Sequence, residues 1–203
     1  MHRGRRGSRG QTPATILMAI KAVGELLAAE GETVGIVVVG GTAMVLRGVA
    51  TRLTEDVDVI ATAKGAGGGQ GAHIERADPL PKSLLRAIAR VARDFDLPPD
   101  WMNSVVTAQW DLDLPPGFEG RIHWEQHGGL ALGVADRVDL VFLKLYAAAD
   151  SEGPESIHYQ DLLALRPSQE ELEAAARWSR AQDTSPEFSR VLDEVVGHVS
   201  KDH

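Results

Sequence analysis

The 203-residue chain contains no cysteine. That excludes a disulfide framework, a thiolate metal site and a cysteine nucleophile, and it suits a cytoplasmic protein. Long apolar runs are missing too: none approaches the roughly 18 to 20 residues that a membrane-spanning helix needs, so no membrane partner is expected. Positive charge is in short supply, with 21 Lys and Arg against 29 Asp and Glu and a net charge of −8, which argues against a chain-wide nucleic-acid surface. The opening MHRGRRGSRG is basic but has no adjoining apolar segment with a cleavage signal, and is not read as secretory. Residues 1–11, with Arg3, Arg5, Arg6 and Arg9 among Gly and Ser, are predicted to be a disordered basic tail, either solvated or able to touch a polyanion. The remaining composition, 43% hydrophobic and 25% charged, is that of a soluble globular domain large enough for a real core, with or without a helical appendage.

The informative stretch is GIVVVGGTAMVLRGVATRLTEDVDVI, residues 35–60. Ile36-Val37-Val38-Val39 is β-branched and reads as a buried strand. Gly40-Gly41 breaks it and leaves backbone with no side chain in the way. Thr42 is placed to cap a short helix through Leu46. After Arg52 and Thr54 comes Asp56-Val57-Asp58-Val59-Ile60, polar and apolar in alternation. Alternate side chains of a strand share a face, so Asp56 and Asp58 are predicted to point the same way, with Val57 and Ile60 differently buried. Two like charges side by side repel unless a cation or substrate lies between them. Hard divalent cations such as Mg2+ are held by one or two carboxylates together with substrate phosphates. The plain alternative for Asp-x-Asp by itself is a strand end carrying two solvated acids.

Around this stretch the periodicity is mostly helical. Thr12 to Glu30 places Ile16, Ile20, Val23, Leu26 and Leu27 on one stripe, with Thr12-Pro13 as cap and first turn. Pro81 to Phe95 is predicted to be amphipathic, with Leu84, Leu85, Ile88, Val91, Ala92 and Phe95 inward and Arg86, Arg90 and Arg93 outward. Residues 64–71 form a Gly-rich tract, but no Gly-Lys-Ser/Thr closes it, so it is read as a loop and not a phosphate cradle. His123-Trp124-Glu125-Gln126-His127 lacks the zincin order. On an extended hairpin its two imidazoles stand roughly 13 Å apart at about 3.3 Å per residue, so zinc is rejected. Residues 136–150 read as a buried helix in which Lys144 either meets an anion or snorkels to the surface. A further apolar helix holds Asp161 among leucines. Ser168 opens a capping-box helix, and a last helix runs from about Pro186 to Val199.

The order strand, Gly40-Gly41-Thr42, helix, Arg52-x-Thr54, Asp56-x-Asp58 resembles the nucleotidyltransferases of the polymerase-β superfamily. Thr42-Ala43 after the glycines resembles the AbiEii-type, toxin-like branch, and antibiotic nucleotidyltransferases more distantly. Lys144 and Asp161 on successive helices resemble the second half of that toxin-like site, more loosely, since His158 stands where a basic residue is usual. The resemblance implies an α/β (α+β) fold: a short mixed sheet flanked by helices as the core, residues 12–135, and a C-terminal helical part, 136–203, completing the site. It implies transfer of a nucleoside monophosphate from an NTP to an acceptor hydroxyl. Mg2+ or Mn2+ would be held by Asp56 and Asp58; Gly40, Gly41, Thr42, Arg52 and Thr54 would bind nucleotide; Lys144 and Asp161 would complete catalysis. The acceptor implied is tRNA or a protein, with a possible cognate antitoxin. A small antibiotic acceptor, or an inactive binding half of a toxin–antitoxin pair, are the alternatives. A third carboxylate is left open among Asp111, Asp113, Glu119 and Glu125.

Overall fold

The computed structural model describes residues 12–51, 53–54, 56–64, 72–107, 112–151 and 153–202. The basic tail, Arg52, most of the Gly-rich tract and Asp111 lie outside the described residues. Helix α1 (Pro13–Ala29) starts where Thr12 accepts a hydrogen bond from the Thr15 N–H, and it buries Ile16, Ile20, Val23 and Leu27. β1 (Val34–Val39) is buried at every residue, as expected of a strand inside a sheet covered on both faces. α2 (Gly40–Leu46) follows directly, and β2 (Val57–Lys64) returns antiparallel to β1. β3 (His73–Arg76), α3 (Lys82–Asp94) and the two-residue β4 (Met102–Asn103) come next. They are followed by α4 (Phe118–Arg121) and the hairpin β5 (His123–His127) and β6 (Leu130–Val134). The chain ends in α5 (Arg137–Asp150), α6 (Ile157–Leu165), α7 (Gln169–Gln182) and α8 (Pro186–Asp202).

The sheet is mixed, in the order β3-β2-β1-β6-β5, with β4 also on β2. β1 and β6 are parallel, Val34 opposite Leu130. β4 lies parallel to the first residues of β2, Val57 opposite Met102 and Asp58 opposite Asn103, whereas β3 pairs with β2 from Ala61 to Lys64. β2 therefore has a partner along both edges. Its pairing with β1 passes from Val38–Val59 to Val37–Ala61, leaving Ile60 as a bulge. Val57 and Ile60 are both fully buried, against the expectation that they differ, because the bulge and the flanking strands enclose both.

α5 is the hub of the helical side, packing on α2 and on α6, α7 and α8. Its N-cap Asp136 accepts from the Val138 N–H and pairs with Arg47 at 2.8 Å. The capping box at Ser168 forms as expected. Among the described residues, no helix is long and apolar enough to cross a membrane.

Candidate active site

The acids and the glycines meet where β1 ends. Gly40 has φ +66°, and a Cβ there would lie 2.2 Å from Asp58 Oδ2. Backbone conformation and space both require glycine. Asp58 stands opposite Val39 on one side and Asn103 on the other. Asp56, one residue before β2, accepts a hydrogen bond from Asn103 Nδ2 at 3.2 Å. Asn103 is fully engaged, since Nδ2 also donates to the Asp100 carbonyl and Oδ1 accepts from the Val105 N–H. The peptide of Asp56 is fixed separately: its carbonyl accepts from Thr42 Oγ1 at 2.6 Å and Thr54 Oγ1 at 3.1 Å.

Thr42 does not cap α2, which starts at Gly40 without a side-chain cap. Its hydroxyl is buried and donates to the Asp56 carbonyl, because the helix begins three residues earlier than a cap at Thr42 requires. Thr54 is likewise buried. Both threonines tie the acid strand to the glycine turn.

The far wall comes from α5 and α6. Lys144 Nζ lies 2.7 Å from Asp161 Oδ2, with side chains 7% and 3% exposed. Of the two open readings of Lys144, pairing holds and snorkelling does not, as burial of an ammonium demands. A cleft of about 390 Å3 is bordered by Gly40, Asp56, Asp58, Asp100, Asn103 and Lys144, with His158 at its edge. Inside it the Asp58 carboxyl is pushed up to about 6, first by burial and then by the Asp56 charge, with Lys144 pulling the other way. A carboxylate that is desolvated and crowded by a like charge prefers its proton until a cation replaces it.

The described candidates for a third acid, Asp113, Glu119 and Glu125, do not line this cleft. The Asp113 N–H donates to Gln182, Glu119 is exposed on α4, and Glu125 faces His127 on β5. His123 and His127 are on an extended strand, as predicted. No three His, Cys, Asp or Glu side chains converge as a metal cluster among the described residues, and the acids described at this corner are Asp56 and Asp58. Two hard oxygen ligands at a glycine-lined opening suit a Mg2+ or Mn2+ ion that takes its other ligands from phosphates and water. Asp100 and Asn103 border the cleft without having been singled out in the sequence. β4 is two residues long, too short for any periodicity, and only the Pro98-Pro99 break before it hints at a turn towards the sheet.

A mixed sheet flanked by helices, with an acid pair at a glycine corner, is consistent with a nucleotidyltransferase-like fold. The chain belongs to the family described as "nucleotidyltransferase of unknown function" (DUF6036), which matches residues 15–174. That span runs from α1 into α7 and includes the acid pair as well as Lys144 and Asp161. No curated protein and no solved structure matches the chain.

Proposed function

We propose that the protein is a metal-dependent nucleotidyltransferase that moves a nucleoside monophosphate from an NTP to an acceptor hydroxyl. The observation that carries this reading is the meeting of Asp56, Asp58, Gly40 and Lys144 around one cleft. Asp56 and Asp58 hold Mg2+ or Mn2+, which when bound neutralises phosphate charge and orients the triphosphate. Gly40 and Gly41 let the triphosphate approach the main chain. Lys144, held by Asp161, presents its ammonium on the side of Asp58 and offsets negative charge on the phosphates. Thr42, Thr54 and Asn103 position Asp56 through the bonds described above. Arg52 is assigned to the phosphates on the strength of the Arg-x-Thr-x-Asp spacing.

The resemblance to toxin-like enzymes supports a macromolecular acceptor, tRNA or protein, and a cognate antitoxin as partner. With each α-labelled NTP, Mg2+ and candidate acceptors, Asp56→Asn and Asp58→Asn are expected to abolish label transfer while retaining the far-UV spectrum of the wild type. Normal turnover in either variant defeats the reading. One observation favours a second reading: the residue beside Asp58 on β4 is the amide Asn103 and not an acid, so the pair could bind NTP without turning it over. Mg2+-dependent NTP binding with no transfer to any acceptor is the outcome that selects it.

A further inference from the structure

A second cavity, of about 760 Å3, adjoins the acid cleft and shares Asp100, Asn103 and Val105 with it. One wall is α3, presenting Leu85 and Ile88, and the floor includes Leu80 and Met102. Leu85 was expected to face inward, yet it is 46% exposed, and Val105 on the shared rim is 81% exposed. Large apolar side chains held open beside a reactive cleft are a surface for a partner. The charged residues lining it are Arg76, Asp78 and Asp100, and the neighbouring α3 arginines Arg86 and Arg90 are paired with Glu30 and Asp94. Among the described residues, no aromatic side chain lines the cavity and Arg76 is its one guanidinium, whereas recognition of successive unpaired bases relies on several aromatic or guanidinium platforms.

We propose that this cavity is the acceptor subsite and that it takes a protein segment carrying a Ser, Thr or Tyr hydroxyl, an apolar neighbour and a basic flank. The inference rests on the nucleotidyltransferase reading and narrows its acceptor class. The apolar neighbour seats against Leu80, Leu85, Ile88 and Met102, and the basic flank meets Asp78. The shared rim then directs the hydroxyl towards the acid cleft. There the hydroxyl oxygen bonds to the α-phosphorus, the bond from that phosphorus to the bridging oxygen breaks, and pyrophosphate leaves. The hydroxyl proton passes to Asp100, the carboxylate that borders both cavities. RNA fits poorly, because the carboxylates of Asp78 and Asp100 outnumber the single guanidinium of Arg76 where its phosphates would lie.

The test uses the full chain, each α-labelled NTP, Mg2+, total RNA, and a peptide library with one hydroxyl residue, one apolar position and either a lysine or a glutamate flank. Expected is label on peptides, with the lysine flank favoured by about tenfold or more, the effect of one partly desolvated charge pair. Leu85→Arg, at an exposed position, is expected to keep NTP binding by calorimetry and to raise KM for the peptide with little change in kcat. Label on RNA, no flank preference, or an unchanged peptide KM in Leu85→Arg overturns the inference. So does absence of peptide label while Mg2+-dependent NTP binding persists, which leaves the parent reading standing. Loss of NTP binding itself in the wild type removes both.

Discussion

Asp58 shows how the site strains the fold that carries it. Its folded-state pKa of about 6 lies above the ordinary value of 3.8. The folded protein therefore binds the proton more tightly than the unfolded chain, and stability falls as pH rises from about 4 through about 6. Asp58→Asn removes that dependence. Urea unfolding at pH 4 and pH 8 is expected to show wild type losing roughly 2–3 kcal/mol more than the variant over this interval, since each pKa unit corresponds to about 1.4 kcal/mol. An equal loss in both proteins contradicts the assignment. The Lys144–Asp161 pair makes a complementary case. Asp161→Ala leaves a buried ammonium alone and is expected to cost about 3–5 kcal/mol, whereas replacing both partners by Lys144→Met and Asp161→Leu restores most of the stability. Transfer activity is expected to stay lost in the double variant. Activity that recovers with stability would make the pair purely structural.

Elements were legible in proportion to their length and to how uniformly they are buried. α1 could be drawn from its helical periodicity, β1 from its run of β-branched residues and α5 from being apolar nearly all round, and the acid pair could be placed because its alternation follows a double glycine. α3 was also legible, but one residue of its stripe was not: Leu85 has the right spacing for the core and faces a cavity instead. Spacing fixes an angle on a helix and not what stands opposite. β4 was illegible, since its two residues acquire meaning only from pairing with Val57 and Asp58. A close approach is similarly invisible in one dimension. α1 crosses the β5–β6 turn so closely that a Cβ on Gly24 would sit 1.7 Å from the His127 carbonyl oxygen, and the Gly129 N–H donates to the Gly24 carbonyl at 2.8 Å. Gly24→Ala is therefore expected to destabilise by about 1–3 kcal/mol despite alanine's better helix propensity. Gly197 in α8, where an added methyl group would meet no atom within 4 Å, is the control, and Gly197→Ala is expected to stabilise by about 0.5–1 kcal/mol. Thermal melts of the two variants moving in the same direction would contradict this account of how α1 seats.

At the scale of the whole molecule, the cleft lies between parts distant in sequence. The glycine turn and the acids come from the β1–β2 side of the sheet, and Lys144 and His158 come from α5 and α6. A ligand bound there touches both the sheet and the helical side, and binding to the folded state alone raises stability by RT ln(1 + [L]/Kd), about 2.7 kcal/mol at a ligand concentration of 100 Kd. The negative charge gathered at the site orders the contributions. NTP without a divalent cation meets Asp56 and Asp58 directly and is expected to shift Tm little, and Mg2+ alone, held by two carboxylates, is expected to shift it modestly. The two together are expected to shift Tm by more than the sum of the separate shifts, because each supplies the charge the other needs. Asp58→Asn starts from a higher Tm in the absence of ligand and is expected to gain almost nothing from the combination. An additive response in the wild type would mean that cation and nucleotide bind at unrelated places, and the cleft would then lose its claim to be the nucleotide site.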